Sequence, residues 1–324
     1  MSNELYFSLV NVAEKAAIST YHLIGSGNKE EIDRVAVEAI RFGLNQQDAS
    51  FQIVVGEGEI DDAPMLYEGE CLGNQASGIS YSVAVDPIEG TTMTAKALPG
   101  ALTVMAFAKK GKLISTPDMY MEKLMVGPKA KGAIDLNRSL QENIQLVSQA
   151  LNKDPIDVTV MILDKPRHFD VITSLRMKGM KVFTPTDGDV IGSLHLALGK
   201  GDIDLIYGIG GAPEGVISAA ALKALGGDMQ AKLLLRYEVK GETPENIAIS
   251  LKEKERCESK GILPNTILKL DDLVCEEAPI FIATGITNSE ILRGVSKSGD
   301  GKMSTDSLLI LGKEKRIHYI TSNY

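Results

Sequence analysis

Four carboxylates crowd one short stretch of the sequence, "VVGEGEIDDAP" at residues 54–64. Glu57, Glu59 and Asp61 stand at every second position, and Asp62 follows directly. In an extended chain alternate side chains point to the same face, so these like charges would repel one another unless a cation lies among them. Oxygen-only ligands suit hard divalent ions such as Mg²⁺ or Mn²⁺. On this stretch alone, a metal site and a solvated acidic turn are equally well supported.

A second acidic motif, "SYSVAVDPIEGTTMTA", begins as an apolar strand that leads into Asp86. Pro87 is expected to take the chain out of the sheet, because proline cannot donate a ladder hydrogen bond. Glu89 can then turn back toward Asp86, and Gly90–Thr91 opens a predicted helix whose free N–H groups attract phosphate. This arrangement favours a site for metal and phosphate over a capped turn with a solvated Glu89.

Two further polar stretches follow predicted strands. "LDKPRH" carries Lys165 and Arg167, cations that could hold a second phosphate, although such pairs are common on protein surfaces. "PTDGDV" places Asp187 and Asp189 around Gly188. The second stretch is either an acidic turn or a site that recognises sugar hydroxyl groups.

A glycine-rich turn, "GIGGAPEGV", follows another predicted strand and has the outline of a dinucleotide-binding motif. Pro213 and Glu214 stand where a pyrophosphate would need close approach to the backbone, and no acidic strand end follows about 20 residues later. We therefore reject a nicotinamide cofactor. Glu214, at a predicted helix start, is instead a candidate metal ligand.

Charge and cysteine content restrict the class of protein. The formal net charge of the 324 residues is −9, which argues against nucleic acid or an anionic membrane as the main partner. An anionic small molecule remains compatible, because a bound metal ion reverses the local sign. The three cysteines have no zinc-site spacing, and neither a signal peptide nor an apolar run of about 18 residues is seen. We expect a cytoplasmic protein with reduced thiols.

Apolar periodicity and glycine or proline punctuation predict the elements that must position these residues. The predicted helices are residues 4–24, 28–46, 167–179, 192–199, 213–227 and 243–261, and the predicted strands are 50–55, 79–85, 101–108, 157–163, 181–185 and 202–211. Alternating helices and strands predict the α/β class with crossover helices. A second unit is predicted to start near residue 156.

Several long motifs occur together and in order: "GEGEIDDAPM", "VAVDPIEGTT", "PDMYMEKL", "DKPRH", "DGDV" and "GIGGAPEGVISAAALKALGGDMQ". With them the chain closely resembles the bacterial class II fructose-1,6-bisphosphatases, almost from end to end. That family belongs to the lithium-sensitive, metal-dependent sugar phosphatases. The resemblance implies an α/β (α+β layered sandwich) fold of two domains, which we expect as a metal-binding phosphatase domain (1–156) and a sugar-phosphate-binding domain (157–324).

The resemblance also implies a set of site residues. Metal ligands would be Asp33, Glu57, Asp86, Glu89 and Glu214, with Mn²⁺ or Mg²⁺ as the ion. Substrate contacts would be Glu89, Gly90, Thr91, Tyr120, Lys165, Pro166, Arg167, Asp187, Gly188, Asp189 and Gly211. We assign catalysis to Asp61, Thr91 and Glu59. With no histidine in the acidic motifs, we predict that Asp61 accepts a hydrogen bond from Thr91, whose hydroxyl takes a proton from the attacking water; the alternative is that Thr91 only caps a helix.

The predicted reaction is hydrolysis of the 1-phosphate of fructose 1,6-bisphosphate, a step of gluconeogenesis, by a homo-oligomer (a dimer or tetramer). Alternatives are activity on sedoheptulose bisphosphate or an inositol phosphate, and a divalent-metal-binding protein without catalysis. Two residues depart from the family pattern near the predicted catalytic turn. Thr92 replaces the usual Arg or Asn, and Gly100 replaces a frequent Asn. Both departures bear on substrate range and rate.

Overall fold

The computed structural model describes residues 2–56 and 66–324. Its helices are α1 Asn3–Thr20, α2 Lys29–Asn45, α3 Thr91–Ala95, α4 Leu140–Leu151, α5 Phe169–Met177, α6 Asp189–Leu198, α7 Ala212–Leu225, α8 Arg236–Lys240, α9 Pro244–Ser259 and α10 Leu270–Leu273. Its strands are β1 Ser50–Val55, β2 Cys71–Gly73, β3 Ser80–Glu89, β4 Leu102–Lys109, β5 Tyr120–Val126, β6 Thr159–Met161, β7 Lys181–Phe183, β8 Leu205–Gly211, β9 Asp228–Leu234, β10 Leu268–Lys269, β11 Ile280–Gly285, β12 Ser296–Lys297, β13 Met303–Leu311 and β14 Arg316–Asn323. None of the helices in these described ranges combines the length and the apolar character that a membrane crossing requires.

Backbone contacts divide the chain into two compact units. One unit combines the chain up to Leu113 with Glu276–Tyr324, and the other is Ile114–Cys275. The boundary predicted between residues 156 and 157 therefore falls inside the second unit. The predicted boundary was based on the alternation of helices and strands along the chain. The C-terminal strands β11, β13 and β14 pair into the first sheet, and no local sequence signal indicates this long-range pairing. The predicted mixed α/β class is confirmed.

The first unit is built on a mixed sheet. Its strand order in the described residues is β12-β13-β11-β4-β3-β1-β2, with β14 paired to β13, and only β1 and β3 run parallel. Helices α1 and α2 cover one face of this sheet and bury a core that includes Leu9, Ile40, Phe51, Val83 and Phe107. Ile32, Ala36 and Ile40 lie on the buried side of α2, and this packing fixes where Asp33 can lie.

Strand β3 does not end at Pro87, contrary to the sequence-based expectation. It continues to Glu89, with a register shift against β4 between Asp86 and Glu89. Pro87 lies within that irregularity, where its missing N–H breaks no ladder bond, and its carbonyl accepts a hydrogen bond from buried Thr103 Oγ1 at 2.9 Å. The bulge carries both acidic residues on the sheet rather than on a departing loop.

The second unit is a sheet with helices on both faces. The described strands run in the order β10-β9-β5-β8-β6-β7, with β6 parallel to β7 and β8 and the other pairs antiparallel. Side chains of α4 and α5 share one core with Leu124, Val160 and Leu205 of the strands. Met121 and Lys123 point to the opposite face, where Gly215 of α7 lies against both side chains. The predicted crossover helix between β6 and β7 is confirmed as α5.

Candidate active site

The acidic turn of the first unit consists of Asp86, Pro87, Ile88 and Glu89. Asp86 Oδ1 accepts a hydrogen bond from the backbone N–H of Ile88 at 2.9 Å, which closes the turn locally. Glu89 is only 5% exposed. A carboxylate is rarely buried to this extent unless it is paired or binds a cation, so Glu89 is not part of a solvated turn.

Thr91 links this turn to α2. Its Oγ1 donates to Asp33 Oδ1 at 2.9 Å and lies 3.2 Å from the carbonyl oxygen of Ile88. Gly90, not Thr91, occupies the N-cap of α3, and among the described residues no side chain caps this helix. Thr91 is therefore not the cap of α3, and its catalytic role stays a prediction. α3 begins at the predicted position but has only five residues, so its dipole contributes little to anion binding.

Asp33 and Lys29 lie on the same helix, α2, near this threonine. Burial raises the pKa of Asp33, while the hydrogen bond from Thr91 and the charge of Lys29 act in the opposite direction. Lys29 Nζ donates to Thr92 Oγ1 at 2.7 Å. Thr92, which departs from the family pattern, therefore binds the ammonium group of Lys29 next to the acidic turn.

Gly100 is the second residue that departs from the family pattern. It has a φ of 105°, and its N–H donates to the carbonyl oxygen of Asn288 at 3.0 Å.

The chemistry of the donor set fits a hard divalent ion, since Asp33, Asp86 and Glu89 offer only carboxylate oxygens. Glu57, Glu59 and Asp61, which were predicted as metal ligand and catalytic residues, lie outside the described residues. Within residues 2–56 and 66–324, no three acidic, histidine or cysteine side chains form a metal-binding group by themselves. The predicted ligand set thus stays a prediction that depends on Glu57.

Tyr120 of the second unit stands between two cations. The guanidinium carbon of Arg167 lies 5.6 Å from the centre of the Tyr120 ring, and Lys240 Nζ lies 5.9 Å from it. Arg167 Nε also donates to the carbonyl oxygen of Ile209 at 2.7 Å, which fixes the guanidinium against β8. Neither cation forms an ion pair within the described part of the chain. Two unneutralised cations at one aromatic ring favour binding of an anion.

His168 holds the turn that presents Lys165, Pro166 and Arg167. Its Nδ1–H donates to the carbonyl oxygen of Leu163 at 2.8 Å, and its Nε2 accepts from the N–H of Ile209 at the same distance. The ring is 1% exposed, and burial lowers its pKa. This histidine is a structural bridge between the turn after β6 and strand β8.

The stretch Asp187–Gly188–Asp189 forms the start of α6, with Gly188 at the N-cap. Asp189 pairs with the ammonium group of Lys123, which also donates to the carbonyl oxygen of Gly211 at 3.1 Å. Tyr120 lies opposite Gly211 in the β5–β8 register. The structure thereby brings three predicted substrate contacts, Tyr120, Asp189 and Gly211, to neighbouring parts of one sheet end.

Glu214 lies at the start of α7, as predicted. Its side chain is half-buried, and the buried atom Oε2 has no hydrogen-bond partner in the described structure. Burial raises the pKa of Glu214, and the positive charge of Lys123 opposes that rise. An orphaned buried carboxylate oxygen suits a residue that holds a cation, and the role of Glu214 as a metal ligand stays a prediction.

Comparison with known proteins decides the family. The chain matches the model described as "Bacterial fructose-1,6-bisphosphatase, glpX-encoded" over residues 3–324. It is 48% identical over 322 residues to fructose-1,6-bisphosphatase class 2 of Haemophilus influenzae, covering 99% of this chain and 96% of that protein. Fructose-1,6-bisphosphatase 1 class 2 of Escherichia coli K12 is 47% identical over 322 residues, with 99% and 95% covered. The chain belongs to the class 2 fructose-1,6-bisphosphatases.

Family membership confirms the resemblance, the phosphatase activity and fructose 1,6-bisphosphate as substrate. It also implies dependence on a divalent metal. A cyanobacterial member from Acaryochloris marina, named D-fructose 1,6-bisphosphatase class 2/sedoheptulose 1,7-bisphosphatase 2, is 38% identical over 337 residues and covers 99% of this chain and 95% of its own length. The family therefore includes a protein named for two sugar bisphosphates.

Sequence reasoning overlooked three lysines of this phosphatase. In the sequence, Lys29 has the position of an ordinary residue at a helix start, and Lys240 that of a surface residue. Lys123 is part of the motif "PDMYMEKL", and no role of its own was assigned to it. Lys123 carried a usable signal, since a lysine within the apolar run "MEKLMV" of a strand is unusual. Lys29 and Lys240 become notable only through contacts with Thr92 and Tyr120, which are distant in sequence.

Proposed function

We propose that this chain removes the phosphate at carbon 1 of fructose 1,6-bisphosphate by metal-assisted transfer to water. The observation that carries the reaction and substrate is the 47–48% identity to class 2 fructose-1,6-bisphosphatases over nearly the whole chain. A water oxygen bonds to phosphorus, the bond from phosphorus to the carbon-1 oxygen breaks, and that oxygen leaves with a proton. The products are fructose 6-phosphate and phosphate.

Mn²⁺ or Mg²⁺ is the cofactor that we assign, with Asp33, Asp86 and Glu89 of the first unit as the proposed ligands among the described residues. Glu57 and Glu214 stay ligands that the family resemblance implies. A bound divalent ion supplies charge neutralisation for the phosphoryl group and for the leaving oxygen. The oxygen-only side chains, the burial of Glu89 and the unpartnered Oε2 of Glu214 support this assignment. The phosphate-release assay with each ion added separately tests which of the two supports turnover.

Thr91 is the residue that we assign to the attacking water. Because its hydroxyl hydrogen points to Asp33, its oxygen lone pairs remain available to accept a hydrogen bond from that water. Proton movement from water to Thr91 and from Thr91 to a carboxylate then requires no histidine. The carboxylate that accepts a hydrogen bond from Thr91 in the described residues is that of Asp33. The relay to Asp61 remains a prediction, as does the catalytic role of Glu59.

The second phosphate is assigned to the cations beside Tyr120. A phosphate that is not coordinated by metal needs positive side chains, and Arg167 and Lys240 both lie within 6 Å of the ring centre. Lys165 completes the predicted set from the same turn. Asp187 and Asp189, with Gly188 and Gly211, are assigned to the sugar hydroxyl groups between the phosphates.

Phosphate release from a substrate panel tests the proposal. Fructose 1,6-bisphosphate, sedoheptulose 1,7-bisphosphate, inositol 1-phosphate and fructose 6-phosphate are compared after EDTA treatment, with and without added Mn²⁺ or Mg²⁺. We expect activity on fructose 1,6-bisphosphate that EDTA abolishes and that the ion restores. Full activity after EDTA treatment, without added ion, would overturn the metal assignment. Absence of phosphate release from fructose 1,6-bisphosphate under every condition would overturn the function.

Sedoheptulose 1,7-bisphosphate is the second candidate substrate. The bifunctional name of the Acaryochloris marina relative favours including it, because that protein aligns with 99% of this chain. The longer sugar separates its two phosphates further, so we expect a lower kcat/KM than for fructose 1,6-bisphosphate.

Cytoplasmic location belongs to the same proposal. Cys71, Cys257 and Cys275 are free thiols, which suits a reducing compartment. Cell fractionation with an antibody against the protein would test the location.

A further inference from the structure

Lys123 is an uncommon residue for its place in the fold. It lies in β5, between β8 and β9, and is 2% exposed. Transfer of an ammonium group into such an environment is costly, and replacing a buried ion pair by apolar side chains often leaves stability unchanged or increases it. Stability alone is therefore a weak reason for a lysine at this position.

The ammonium group contacts two atoms of predicted substrate-binding residues. It pairs with Asp189 Oδ2 and donates to the carbonyl oxygen of Gly211 at 3.1 Å. Asp189 begins α6 and Gly211 ends β8, so one cation joins two separate elements. The Asp189 side chain remains 12% exposed, which leaves part of it accessible from outside the buried pair.

The end of β8 is adapted to this pair by its glycines. A Cβ atom on Gly210 would lie 2.5 Å from Asp189 Oδ2 and 2.9 Å from Lys123 Nζ. Glycine weakens a strand interior by loss of packing and by backbone entropy. Glycine is nevertheless present at position 210, where the side chain of any other residue would displace Lys123 or Asp189.

We propose that Lys123 is a positioning residue for substrate recognition, which holds the Asp189 carboxylate and the Gly211 carbonyl in one arrangement. This inference rests on the proposed function, in which Asp189 and Gly211 contact the sugar. Lys123 is itself nearly inaccessible, so it acts through Asp189. The expected consequence of its loss is weaker binding of the sugar bisphosphate, as after direct loss of the aspartate.

A double-mutant cycle tests the coupling. KM and kcat for fructose 1,6-bisphosphate are measured for the wild type, Lys123→Met, Asp189→Asn and the double variant. We expect each single variant to raise KM about tenfold or more, as for loss of a hydrogen bond to a charged group. The double variant should raise KM no further than Asp189→Asn does, because Lys123 acts on the substrate through the Asp189 carboxylate, which is then absent. Lys181→Met is the matched control, since Lys181 pairs with Asp157 on the surface of the same unit, and its KM should equal that of the wild type.

Two outcomes contradict the inference. One is a KM for Lys123→Met within twofold of the wild-type value, and the other is a double variant whose KM increase is the product of the single effects. If Lys123→Met does not fold, as judged by circular dichroism, the double variant still decides, because it leaves no unpaired charge buried. It should then match Asp189→Asn in KM, and a threefold difference would overturn the inference. A wild-type protein that releases no phosphate would contradict the proposed function instead.

Discussion

At the scale of single residues, the hydroxyl of Thr91 is the group with the clearest chemical assignment. We expect Thr91→Ala to lose most of kcat, because the water loses its acceptor and Asp33 loses its donor at 2.9 Å. Thr91→Ser keeps the hydroxyl and should retain partial activity. Thr92→Ala removes a hydroxyl of the same short helix that contacts Lys29 rather than Asp33, so kcat should fall far less than in Thr91→Ala. Steady-state kinetics with a metal-binding titration measure the effect; wild-type turnover by Thr91→Ala would disprove the role.

Arg167 carries a second prediction at this scale. Replacing it by alanine should raise KM for fructose 1,6-bisphosphate by about 10- to 150-fold, the equivalent of about 1.5–3 kcal/mol for a charge-assisted hydrogen bond. The preference for bisphosphates over monophosphates should fall at the same time. Arg176→Ala is the control, since Arg176 lies on α5 of the same unit and donates to Thr184 Oγ1. Unchanged KM and selectivity in Arg167→Ala would place the phosphate site elsewhere.

At the scale of elements, His168 couples the turn Pro166–His168 to strand β8. Its pKa in the folded protein is lowered from 6.5 by burial, so the folded chain resists protonation. Below about pH 6.5 the unfolded chain binds a proton that the folded chain does not, and stability falls by at most about 1.4 kcal/mol per pH unit. Above this range both states are neutral and the histidine adds no pH dependence.

His168→Gln should therefore lose less stability than the wild type between pH 6.5 and 5.5, although it is less stable at pH 7.5. Urea unfolding at the three pH values measures the difference in the free energy of unfolding. Equal losses of stability in both proteins between pH 6.5 and 5.5 would show that this histidine does not resist protonation.

At the scale of the whole molecule, Glu14 joins elements from distant parts of the chain. This residue of α1 is 2% exposed and accepts hydrogen bonds from Thr305, Ser307 and Ser322, while its Oε2 accepts from Tyr324 Oη at 2.6 Å. Burial, followed by the bond to Glu14, raises the pKa of Tyr324. The network fastens β13 and β14 to the helix that covers the first sheet.

Tyr324→Phe should lower the free energy of unfolding by about 1.5–3 kcal/mol, the usual value for a hydrogen bond to a charged group. Turnover at 25 °C should be retained, because no candidate site residue in the described part of the chain contacts this network. Asn323→Ala, at an exposed neighbouring position of β14, is the control. Equal unfolding midpoints in urea for Tyr324→Phe and the wild type would contradict the prediction.

The expected homo-oligomer stays a prediction, which light scattering can test.

The amino-acid sequence by itself determined the acidic motifs, the mixed α/β class and the elements with strong local signals. Asn28 caps α2, where its side chain accepts from the N–H of Glu31 at 3.1 Å, and Gly226 ends α7 in a left-handed conformation. These positions lie at or next to the predicted ends of the two helices. Strand β1 has the predicted bounds. Such signals act over a few residues, so they are visible without the rest of the chain.

Tertiary structure alone decided the arrangement of the site. Strand β5 lies inside the second sheet, between β8 and β9. The sequence did not predict this strand, because Glu122 and Lys123 interrupt its apolar pattern. The bond from Thr91 to Asp33 spans 58 positions, and the pair of Lys123 with Asp189 spans 66. Whether a charged side chain is solvated or buried against a partner depends on which strands pair and which helix packs over them. Those choices are made by the burial of apolar surface across the whole unit, which no local pattern of residues encodes.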